Sequence, residues 1–266
     1  MSAVTGYLGP EGSYSQIAAQ RLSKGEIVPY PTFFLLVKAL REGEADSIVL
    51  PVENSLNGGV MQNLDLLQET EGIVAVAETL VKIEHRLVTM KGADVSKITT
   101  IYSHPQALGQ CAKYLYSHFP NAVLKQTSST SGCIKMLKSP TDAGIVGCHC
   151  KADGLEMSKE CISDEPLNFT QFLLIKKGRA EDCKKSTKIY FSITCLHRPG
   201  ALVCALSVLA RYNINMTKIE SRPIKDKVGE YRFFIEIEAD CGAENTKNAM
   251  RELKENCSSV KILGCY

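Results

Sequence analysis

Apolar and polar positions over the first 80 residues repeat in one order: a short apolar run, a polar loop, and a segment with helical spacing. The apolar runs predict buried strands and the spaced segments predict amphipathic helices. The predicted strands are 4–8, 27–29 and 47–50, and the predicted helices are 14–22, 33–40 and 60–68. Thr32 is suited to cap the second helix, which is expected to stop near Gly43. This alternation indicates an α/β domain with a largely parallel sheet.

The alternation continues beyond residue 72 and predicts a second α/β unit. Its predicted strands are 73–80, 84–88, 98–102, 123–124 and 143–147, and its predicted helices are 107–116, 132–137 and a segment from 148 onward. The stretch 168–172 opens a further apolar run, 172–175, which is expected to cross back to the first unit. Two lobes joined by two chain crossings are typical of a cleft-forming, periplasmic-binding-protein-like domain.

A charged segment without periodicity, 179–186, predicts a short linker before a third unit. The elements predicted after it are a strand at 188–194, a helix at 201–211, strands at 213–219 and 231–238, a helix at 243–255 and a strand at 260–263. The order βαββαβ is the ferredoxin-like arrangement. The edges of a lone four-stranded sheet of this kind favour pairing with a second copy of the chain.

Composition restricts the class of protein further. A length of 266 residues predicts about two domains, each large enough to bury a core. A net charge of +2 gives no strong field toward nucleic acid or a membrane, and no apolar run reaches membrane-spanning length. Eleven cysteines without a framework suit a reducing compartment, and the first residues lack the pattern of a signal peptide. We therefore expect a cytoplasmic protein.

Two polar loops follow predicted strands of the first unit. Residues 11–15 place a glycine and hydroxyl groups at the start of a helix, and residues 54–59 do the same before the next helix. Free backbone N–H groups at such positions can hold an anion. Each loop alone is more often a capped helix start, but two of them beyond strands of one sheet favour a small anionic ligand.

Other candidate groups are less specific. His104 precedes a proline at a predicted strand end, where a general base and a structural hydrogen bond are both open. Cys148, His149 and Cys150 lack a second ligand pair at zinc spacing, so no metal is expected. The sequence contains no phosphate-binding loop, dinucleotide glycine pattern or serine nucleophile elbow, and we expect no cofactor.

Five short stretches together resemble the prephenate dehydratase family, with an ACT regulatory domain at the C-terminus. They are 9–15 (GPEGSYS), 51–55 (PVENS), 103–108 (SHPQAL), 200–203 (GALV) and 220–223 (ESRP). The resemblance implies a catalytic domain at 1–178, with lobe 1 at about 1–80 plus 165–178 and lobe 2 at about 81–164, and an ACT domain at 187–266. It also implies conversion of prephenate to phenylpyruvate, water and carbon dioxide, feedback by phenylalanine, and a homodimer or homotetramer.

The resemblance also implies the roles of individual residues. Thr170 is expected at the leaving hydroxyl, where orientation and charge stabilisation suit a threonine better than acid catalysis. The residues expected to hold the substrate beside it are Asn54, Ser103 and Gln110. Further substrate contacts are expected from Ser13, Glu53, Ser55, Ser129, Thr130, Gln171 and Phe172. Phenylalanine is expected near Gly200, Ala201, Leu202, Val203, Glu220, Ser221 and Arg222.

Gln171 departs from the family motif, which has arginine between the threonine and the phenylalanine. Arginine offers a charged fork to a carboxylate, whereas glutamine keeps donors but loses the charge. Hydrogen bonds to charged groups contribute about 1.5–3 kcal/mol and neutral ones about 0.5–1.5 kcal/mol, so the change is expected to cost about tenfold or more. Three functions stay open: a prephenate dehydratase, an arogenate dehydratase, and a catalytically weak binding protein that responds to phenylalanine.

Overall fold

The computed structural model describes residues 3–151, 153–179, 186–225, 227 and 229–266. None of the helices among these residues combines the length and the hydropathy needed to cross a bilayer. The strands are β1 (Val4–Leu8), β2 (Glu26–Tyr30), β3 (Ser47–Asn54), β4 (Gly58–Gly59), β5 (Ile73–Lys82), β6 (His85–Met90), β7 (Thr100–Ser103), β8 (Val123–Gln126), β9 (Asp142–Gly147), β10 (Leu155–Met157), β11 (Phe169–Lys177), β12 (Lys188–Cys195), β13 (Asn215–Pro223), β14 (Tyr231–Glu238) and β15 (Cys257–Cys265). The helices are α1 (Tyr14–Leu22), α2 (Phe33–Glu42), α3 (Met61–Glu69), α4 (Pro105–Gln110), α5 (Ala112–His118), α6 (Ala201–Arg211) and α7 (Glu244–Asn256).

Lobe 1 is built on five neighbouring strands of a ten-stranded sheet, in the order β5-β11-β3-β1-β2. β1 runs parallel to both β2 and β3, as the alternation of strands and helices predicts. β11 lies between β3 and β5 and is antiparallel to both. The sheet is therefore mixed rather than largely parallel, because the strand that crosses back from lobe 2 enters in the opposite direction.

The local signals at the ends of α2 act as the sequence predicts. The Thr32 hydroxyl accepts a hydrogen bond from the Leu35 amide at 3.2 Å, and Gly43 ends the helix with a φ of +85°. That left-handed conformation is one that glycine adopts without steric cost. The helix buries Leu36 and Leu40 in one apolar cluster with residues of β3.

Lobe 2 is a five-stranded sheet in the order β10-β6-β9-β7-β8, with α4 and α5 beside it. β7 is parallel to β8 and β9, whereas β6 is antiparallel to β9. The lobe has its own apolar core, which includes Ile101, Leu108, Leu115 and Ile145. The chain enters this lobe after β5 and leaves it before β11, so two crossings join the lobes.

Three helices predicted in lobe 2 differ from the structure. The helix expected at 107–116 is divided into α4 and α5, because Cys111 between them has a φ of −120° and a ψ of +15°. The helix expected at 132–137 is a 3₁₀ helix, Ser131–Met136. The helix expected from 148 onward is wrong. The Cys150 amide closes a turn on the Gly147 carbonyl at 2.9 Å, and Gly154, with a φ of +77°, leads into β10.

The last six elements form the predicted βαββαβ unit, with strand order β13-β14-β12-β15. Residues 180–185 of the predicted linker lie outside the described residues. β15 continues the sheet into lobe 1 by pairing in parallel with β5, where Gly264 is opposite Ala75. One of the edges expected to be open is therefore covered by the same chain.

Alternate residues of the C-terminal sheet face two different cores. Phe191 and Ile235 are buried against α6 and α7, as expected for a ferredoxin-like unit. The neighbouring Tyr190 and Phe234, together with Leu263, are buried in the same apolar cluster as α2 and β3 of lobe 1. The C-terminal unit and lobe 1 thus share a core.

Replacing Gly264 with alanine tests the junction between β15 and β5. An added Cβ would contact the Cβ of Ala75 and would lie 2.8 Å from its carbonyl oxygen, which leaves no space for a methyl group. We expect Gly264→Ala to lower the free energy of unfolding by about 1–3 kcal/mol, as overpacking typically does. Denaturant unfolding of the full chain measures this change.

Gly109→Ala is the matched control. A Cβ at Gly109 in α4 has no heavy atom within 4 Å, and alanine favours a helix over glycine by up to about 1 kcal/mol. Its stability should stay the same or rise. Equal stability of the two variants would show that the approach of Gly264 to Ala75 carries no constraint.

Candidate active site

A cavity of about 270 Å³ lies between the two lobes. Lobe 1 contributes the loop after β1, the end of β3 and the start of β11, and lobe 2 contributes β6, α4 and the segment 128–131. The lining residues are Leu8, Gly9, Pro10, Ser13, Tyr14, Ser15, Asn54, Ile83, His85, His104, Gln106, Ala107, Gln110, Ser128, Ser129, Thr130, Ser131 and Thr170. Six of the predicted substrate residues therefore meet in one cavity.

Asn54 and Thr170 form a hydrogen-bonded pair across β3 and β11, where they are register partners. The Asn54 amide nitrogen donates to Thr170 Oγ1 at 3.0 Å and to Asn168 Oδ1 at 2.7 Å. Its oxygen accepts from the backbone amides of Leu56 and Asn57 at 3.2 and 3.1 Å. These contacts fix the amide, and since Thr170 Oγ1 accepts here, its own hydrogen can be donated to a ligand in the cavity.

The Asn54 contacts also change the interpretation of the loop 54–59. The loop was expected to offer free N–H groups at the start of a helix. Instead, Asn54 itself accepts from two of these amides, and Gly58–Gly59 pairs with β3 before α3 begins. The loop holds Asn54 in place rather than presenting an anion site at a helix terminus.

Gln110 and His85 form a second polar pair, on the lobe 2 side. His85 Nε2 lies 2.8 Å from Gln110 Oε1, and Gln110 Nε2 donates to Asn57 Oδ1 of lobe 1 at 3.3 Å. An amide oxygen only accepts, so the His85 proton is assigned to Nε2. Burial lowers the pKa of His85 below its ordinary value, partly opposed by the bond to Gln110, and keeps the ring neutral.

His85 was not predicted as a site residue. The predicted strand 84–88 has Glu84 and Arg86 on either side of the histidine, so the sequence carries no signal that His85 is only 3% exposed. Its Nδ1 atom is buried and has no hydrogen-bond partner among the described residues. A buried, unpaired nitrogen beside a cavity is costly unless a ligand or water reaches it.

Hydroxyl groups from both lobes complete the lining. Ser13, which was predicted to contact the substrate, caps α1: its Oγ accepts from the Gln16 amide at 3.3 Å and donates to the Leu8 carbonyl at 3.1 Å. The Tyr14 hydroxyl accepts from the Glu84 amide at 2.9 Å and also bonds the carbonyl of that residue, which ties α1 to the start of lobe 2. Burial raises the pKa of Tyr14, so its hydroxyl stays protonated.

Ser129 and Thr130, which were predicted to contact the substrate, line the cavity from lobe 2. Ser129 Oγ accepts from the Gly132 amide at 3.1 Å, which orders the start of the 3₁₀ helix. Together with Ser13, these residues bring hydroxyl groups to the cavity from both lobes. The hydroxyl groups of Ser129 and Thr130 can donate to the carboxylates of a small anion, whereas the Ser13 hydrogen is donated to the Leu8 carbonyl.

Ser103 and Ser55 lie next to the site without lining it. Ser103 is fully buried, and its hydroxyl donates to the Ile145 carbonyl at 2.7 Å. Ser55 Oγ donates to the Leu167 carbonyl at 3.2 Å and accepts from the Phe169 amide at 2.9 Å. Both residues hold site elements in place, and neither is placed to contact a ligand in the cavity.

Glu53, Gln171 and Phe172 do not point into the cavity. Phe172 is buried in the core of lobe 1, 2% exposed. Glu53 and Gln171 are neighbours in sequence of Asn54 and Thr170, and successive side chains of a strand face opposite sides of the sheet. Their side chains accordingly face the C-terminal unit, which corrects the expectation that Gln171 holds a substrate carboxylate.

His104 makes the structural hydrogen bond that was one of the two interpretations left open by the sequence. Its Nδ1 accepts from the Gln106 amide at 3.2 Å and so caps α4, while the residue also lines the cavity. Pro105 fits the first turn of α4 because it lacks an N–H group. Among the described residues, no group of three His, Cys, Asp or Glu side chains is arranged to hold a metal, and this includes the run 148–150.

A second cavity of about 450 Å³ lies at the start of α6 in the C-terminal unit. Gly200 precedes the helix with a φ of +78°, and Ala201 and Leu202 line the cavity. Its other lining residues are Cys195, Leu196, His197, Arg198, Pro199, Gly229, Glu230, Tyr231 and Phe233. Val203, which was predicted with this group, is 67% exposed and points elsewhere.

Glu220 and Arg222, which were also predicted to bind phenylalanine, contact lobe 1 instead. Arg222 forms an ion pair with Asp65 of α3, with Nη2 and Nε at 2.7 and 3.3 Å from its two oxygens. Glu220 packs over Gly59. None of Glu220, Ser221 and Arg222 of β13 lines the second cavity.

Because His85 is buried, the stability of the protein is expected to depend on pH in a specific way. The folded-state pKa is below the unfolded value of about 6.5, so the unfolded chain binds a proton first as the pH falls, and stability is lost below about pH 6.5. His85→Gln keeps a polar side chain but cannot titrate in this range. We expect the variant to lose less unfolding free energy than the wild type between about pH 7.5 and about pH 5.5. Equal losses of unfolding free energy in the variant and the wild type, measured by denaturant titration at both pH values, would contradict this.

Comparison with known proteins identifies the family. Residues 5–180 match the family model of prephenate dehydratase, and residues 189–256 match that of the ACT domain. A prephenate dehydratase of Lactococcus lactis subsp. cremoris is 34% identical over 269 residues, which covers 98% of this chain and 96% of the relative.

Two solved structures are similar over nearly the whole chain. A prephenate dehydratase from Arthrobacter aurescens in complex with L-Phe has a TM-score of 0.88 at 28% identity, covering 99% of this chain and 90% of that one. GqqA, described as a novel type of quorum quenching acylase, has a TM-score of 0.85 at 25% identity, covering 99% and 97%. A shared fold does not by itself fix the chemistry. The family models and the sequence relative agree, however, and the chain belongs to the prephenate dehydratase family, with a C-terminal ACT domain.

Proposed function

We propose that the chain converts prephenate to phenylpyruvate, water and carbon dioxide in phenylalanine biosynthesis, and that phenylalanine regulates it through the ACT domain. The observation that carries the proposal is the Asn54–Thr170 pair at the cavity between the lobes. Family membership supplies the reaction, and this pair supplies a hydroxyl that is fixed in place and has a hydrogen to donate.

The reaction needs little from the protein beyond orientation and charge stabilisation. As the bond from the ring to its carboxylate breaks, the electron pair makes the ring aromatic and expels the hydroxyl on the opposite carbon. One proton from solvent converts the leaving hydroxide to water. Thr170 does not supply that proton, because the pKa of a threonine hydroxyl is far too high, but its hydrogen bond can stabilise the charge that develops on the leaving oxygen.

The cavity suits a dianion held by neutral donors. Of the described residues that line it, none is lysine or arginine. The hydroxyl groups of Ser129 and Thr130 and the amide of Gln110 can donate to the two carboxylates. Neutral donors in a partly enclosed site still bind an anion well, because the low local dielectric strengthens each hydrogen bond.

The catalytic domain that we propose is 1–178, with lobe 2 at about 81–164 inserted into lobe 1. The linker would be 179–186 and the ACT domain 187–266. We also propose a cytoplasmic enzyme that forms a homodimer or homotetramer. The ACT domain supports this because β13 lies at the end of its sheet, where a second copy could pair.

Substitutions at Thr170 test the catalytic role. Thr170→Val removes the hydroxyl and keeps the volume, and we expect kcat to fall by about 10²–10³, as for loss of one stabilising donor. Thr170→Ser keeps the hydroxyl and should retain activity within about tenfold.

Assays of the wild type with prephenate and with arogenate distinguish the two dehydratases. Turnover of neither substrate, with phenylalanine still bound, would leave only the binding protein.

The effector site is tested by two adjacent substitutions in α6. Leu202 lines the cavity at the start of the helix, whereas Val203 is mostly exposed. Leu202→Ala should weaken phenylalanine binding by about tenfold, the effect of losing 1–2 kcal/mol of apolar contact. Val203→Ala is the matched control and should bind normally by calorimetry. Equal affinities for both variants would place the effector outside this cavity.

A further inference from the structure

Two consecutive register pairs join the active site to the ACT domain. Thr170 pairs with Asn54, and the next residue on each strand gives the pair Gln171 and Glu53. The first pair faces the cavity and the second faces the opposite side of the sheet, against β13 and β14 of the ACT domain. A catalytic pair and an interdomain pair are therefore separated by one peptide unit on both strands.

Gln171 lies between two carboxylates. Its Nε2 donates to Glu78 Oε2 of β5 at 2.7 Å and to Glu236 Oε2 of β14 at 2.9 Å. Lys188 of β12 also bridges these carboxylates, with Nζ at 2.8 Å from Glu78 and 3.3 Å from Glu236. Gln171 thus joins the strand of Thr170 to a buried charge of the ACT domain by a direct hydrogen bond.

The Glu236 carboxylate has four polar partners among the described residues: Gln171, Lys188, Thr217 and Tyr266. It is 4% exposed and accepts hydrogen bonds at 2.7 Å from both Thr217 Oγ1 and Tyr266 Oη. Burial alone would raise its pKa, but the hydrogen bonds from Gln171, Thr217 and Tyr266 and the charge of Lys188 lower it. The carboxylate is therefore a fixed anchor on β14, and a shift of that strand must move its partners or break their bonds.

Glu53 provides the parallel link on β3. Its Oε2 lies 3.0 Å from Nζ of Lys218 on β13, and that ammonium group is buried and lies 5.5 Å from the centre of the Tyr190 ring. The Lys218 side chain is buried and that of Glu53 is partly exposed, so separating them would leave the buried ammonium group without its carboxylate partner, and this contact also resists separation. Each strand that carries a catalytic residue is thus attached to its own strand of the ACT sheet.

We propose that Gln171 and Glu53 are positioning residues, which transmit the position of the ACT sheet to Thr170 and Asn54. The inference rests on the proposed function, since it assumes that Thr170 acts on the substrate. Side chains on opposite faces of one strand move together when the strand twists or shifts. A displacement of about 1 Å at a reacting group can cost about 10²-fold in rate, so small shifts suffice. The register irregularity between Gln171 and Phe172 leaves this end of β11 less tightly paired than a regular ladder.

The inference also explains what Gln171 does in place of the family arginine. An arginine here would lie between Glu78 and Glu236 and would add a charge to the interdomain contact. Glutamine keeps a hydrogen bond to both carboxylates and leaves Lys188 as the cation that bridges them. The residue thus sets the strength of attachment between the domains rather than the affinity for a substrate carboxylate.

Gln171→Met in the full-length chain tests the proposal, because it keeps the side-chain length and removes both hydrogen bonds. We expect kcat for prephenate to fall by about tenfold with KM within about twofold, since the position of Thr170 changes and the substrate contacts do not. Inhibition by phenylalanine should weaken, while calorimetry shows phenylalanine still bound.

Ser192→Ala is the matched control for loss of an interdomain hydrogen bond. Ser192 of β12 donates to Gln68 of α3 at 2.5 Å, and α3 carries no residue that lines the cavity. This variant should lose stability but keep kcat and inhibition. Unchanged kcat and inhibition in Gln171→Met, or equal losses in both variants, would overturn the proposal.

Gln171→Arg separates the two possible roles of this position. Arginine can donate to both carboxylates, so we expect a higher melting temperature, with kcat and KM within about twofold of the wild type. A several-fold lower KM for prephenate would place the side chain at the substrate and overturn the proposal. A wild-type chain without prephenate turnover would instead refute the proposed function, and this inference would fall with it.

Discussion

The pairing of β11 with both β3 and β5 is the constraint on which the rest of the structure depends. It returns the chain from lobe 2 to the centre of the lobe 1 sheet and so makes the second of the two crossings that define the cleft. It also places Thr170 beside Asn54, 116 residues earlier in the chain. Because β11 has a cavity-facing side and an ACT-facing side, one strand determines the geometry of both.

The cavity relies on oriented neutral groups rather than on charge. Asn54, His85 and Gln110 are each held by hydrogen bonds within the protein, so they need little reorganisation when a substrate binds. This arrangement suits a reaction in which negative charge moves from a carboxylate to a leaving hydroxyl. A fixed cation at the carboxylate would favour the starting charge distribution and oppose that movement.

The ACT domain is physically continuous with the catalytic domain. Its sheet extends into lobe 1 through Gly264 and Ala75, and Tyr190 and Phe234 complete the lobe 1 core. Lys261 adds hydrogen bonds to the last carbonyls of α3, the favourable position for a cation at a helix C-terminus. A domain attached through a shared core and a shared sheet cannot shift without straining the strands that carry Asn54 and Thr170.

The sequence by itself determined the elements and the family. Period-2 and period-3.6 patterns located most strands and helices, and Thr32 and Gly43 marked the ends of α2, because these signals are local. The family motifs identified Asn54, Gln110 and Thr170 as members of one site. Where local patterns were weak, as after residue 148, the predicted helix was wrong.

Only the tertiary structure decided which side of the sheet each motif residue faces. Residues Thr170 and Gln171 are adjacent in one motif, yet β pairing turns the first toward the cavity and the second toward Glu236. Neither the buried His85 nor the contact of Arg222 with Asp65 could be read from spacing, because both depend on segments brought together across the fold. Side-chain direction follows from strand register, and register is set by long-range pairing that no single stretch of sequence contains.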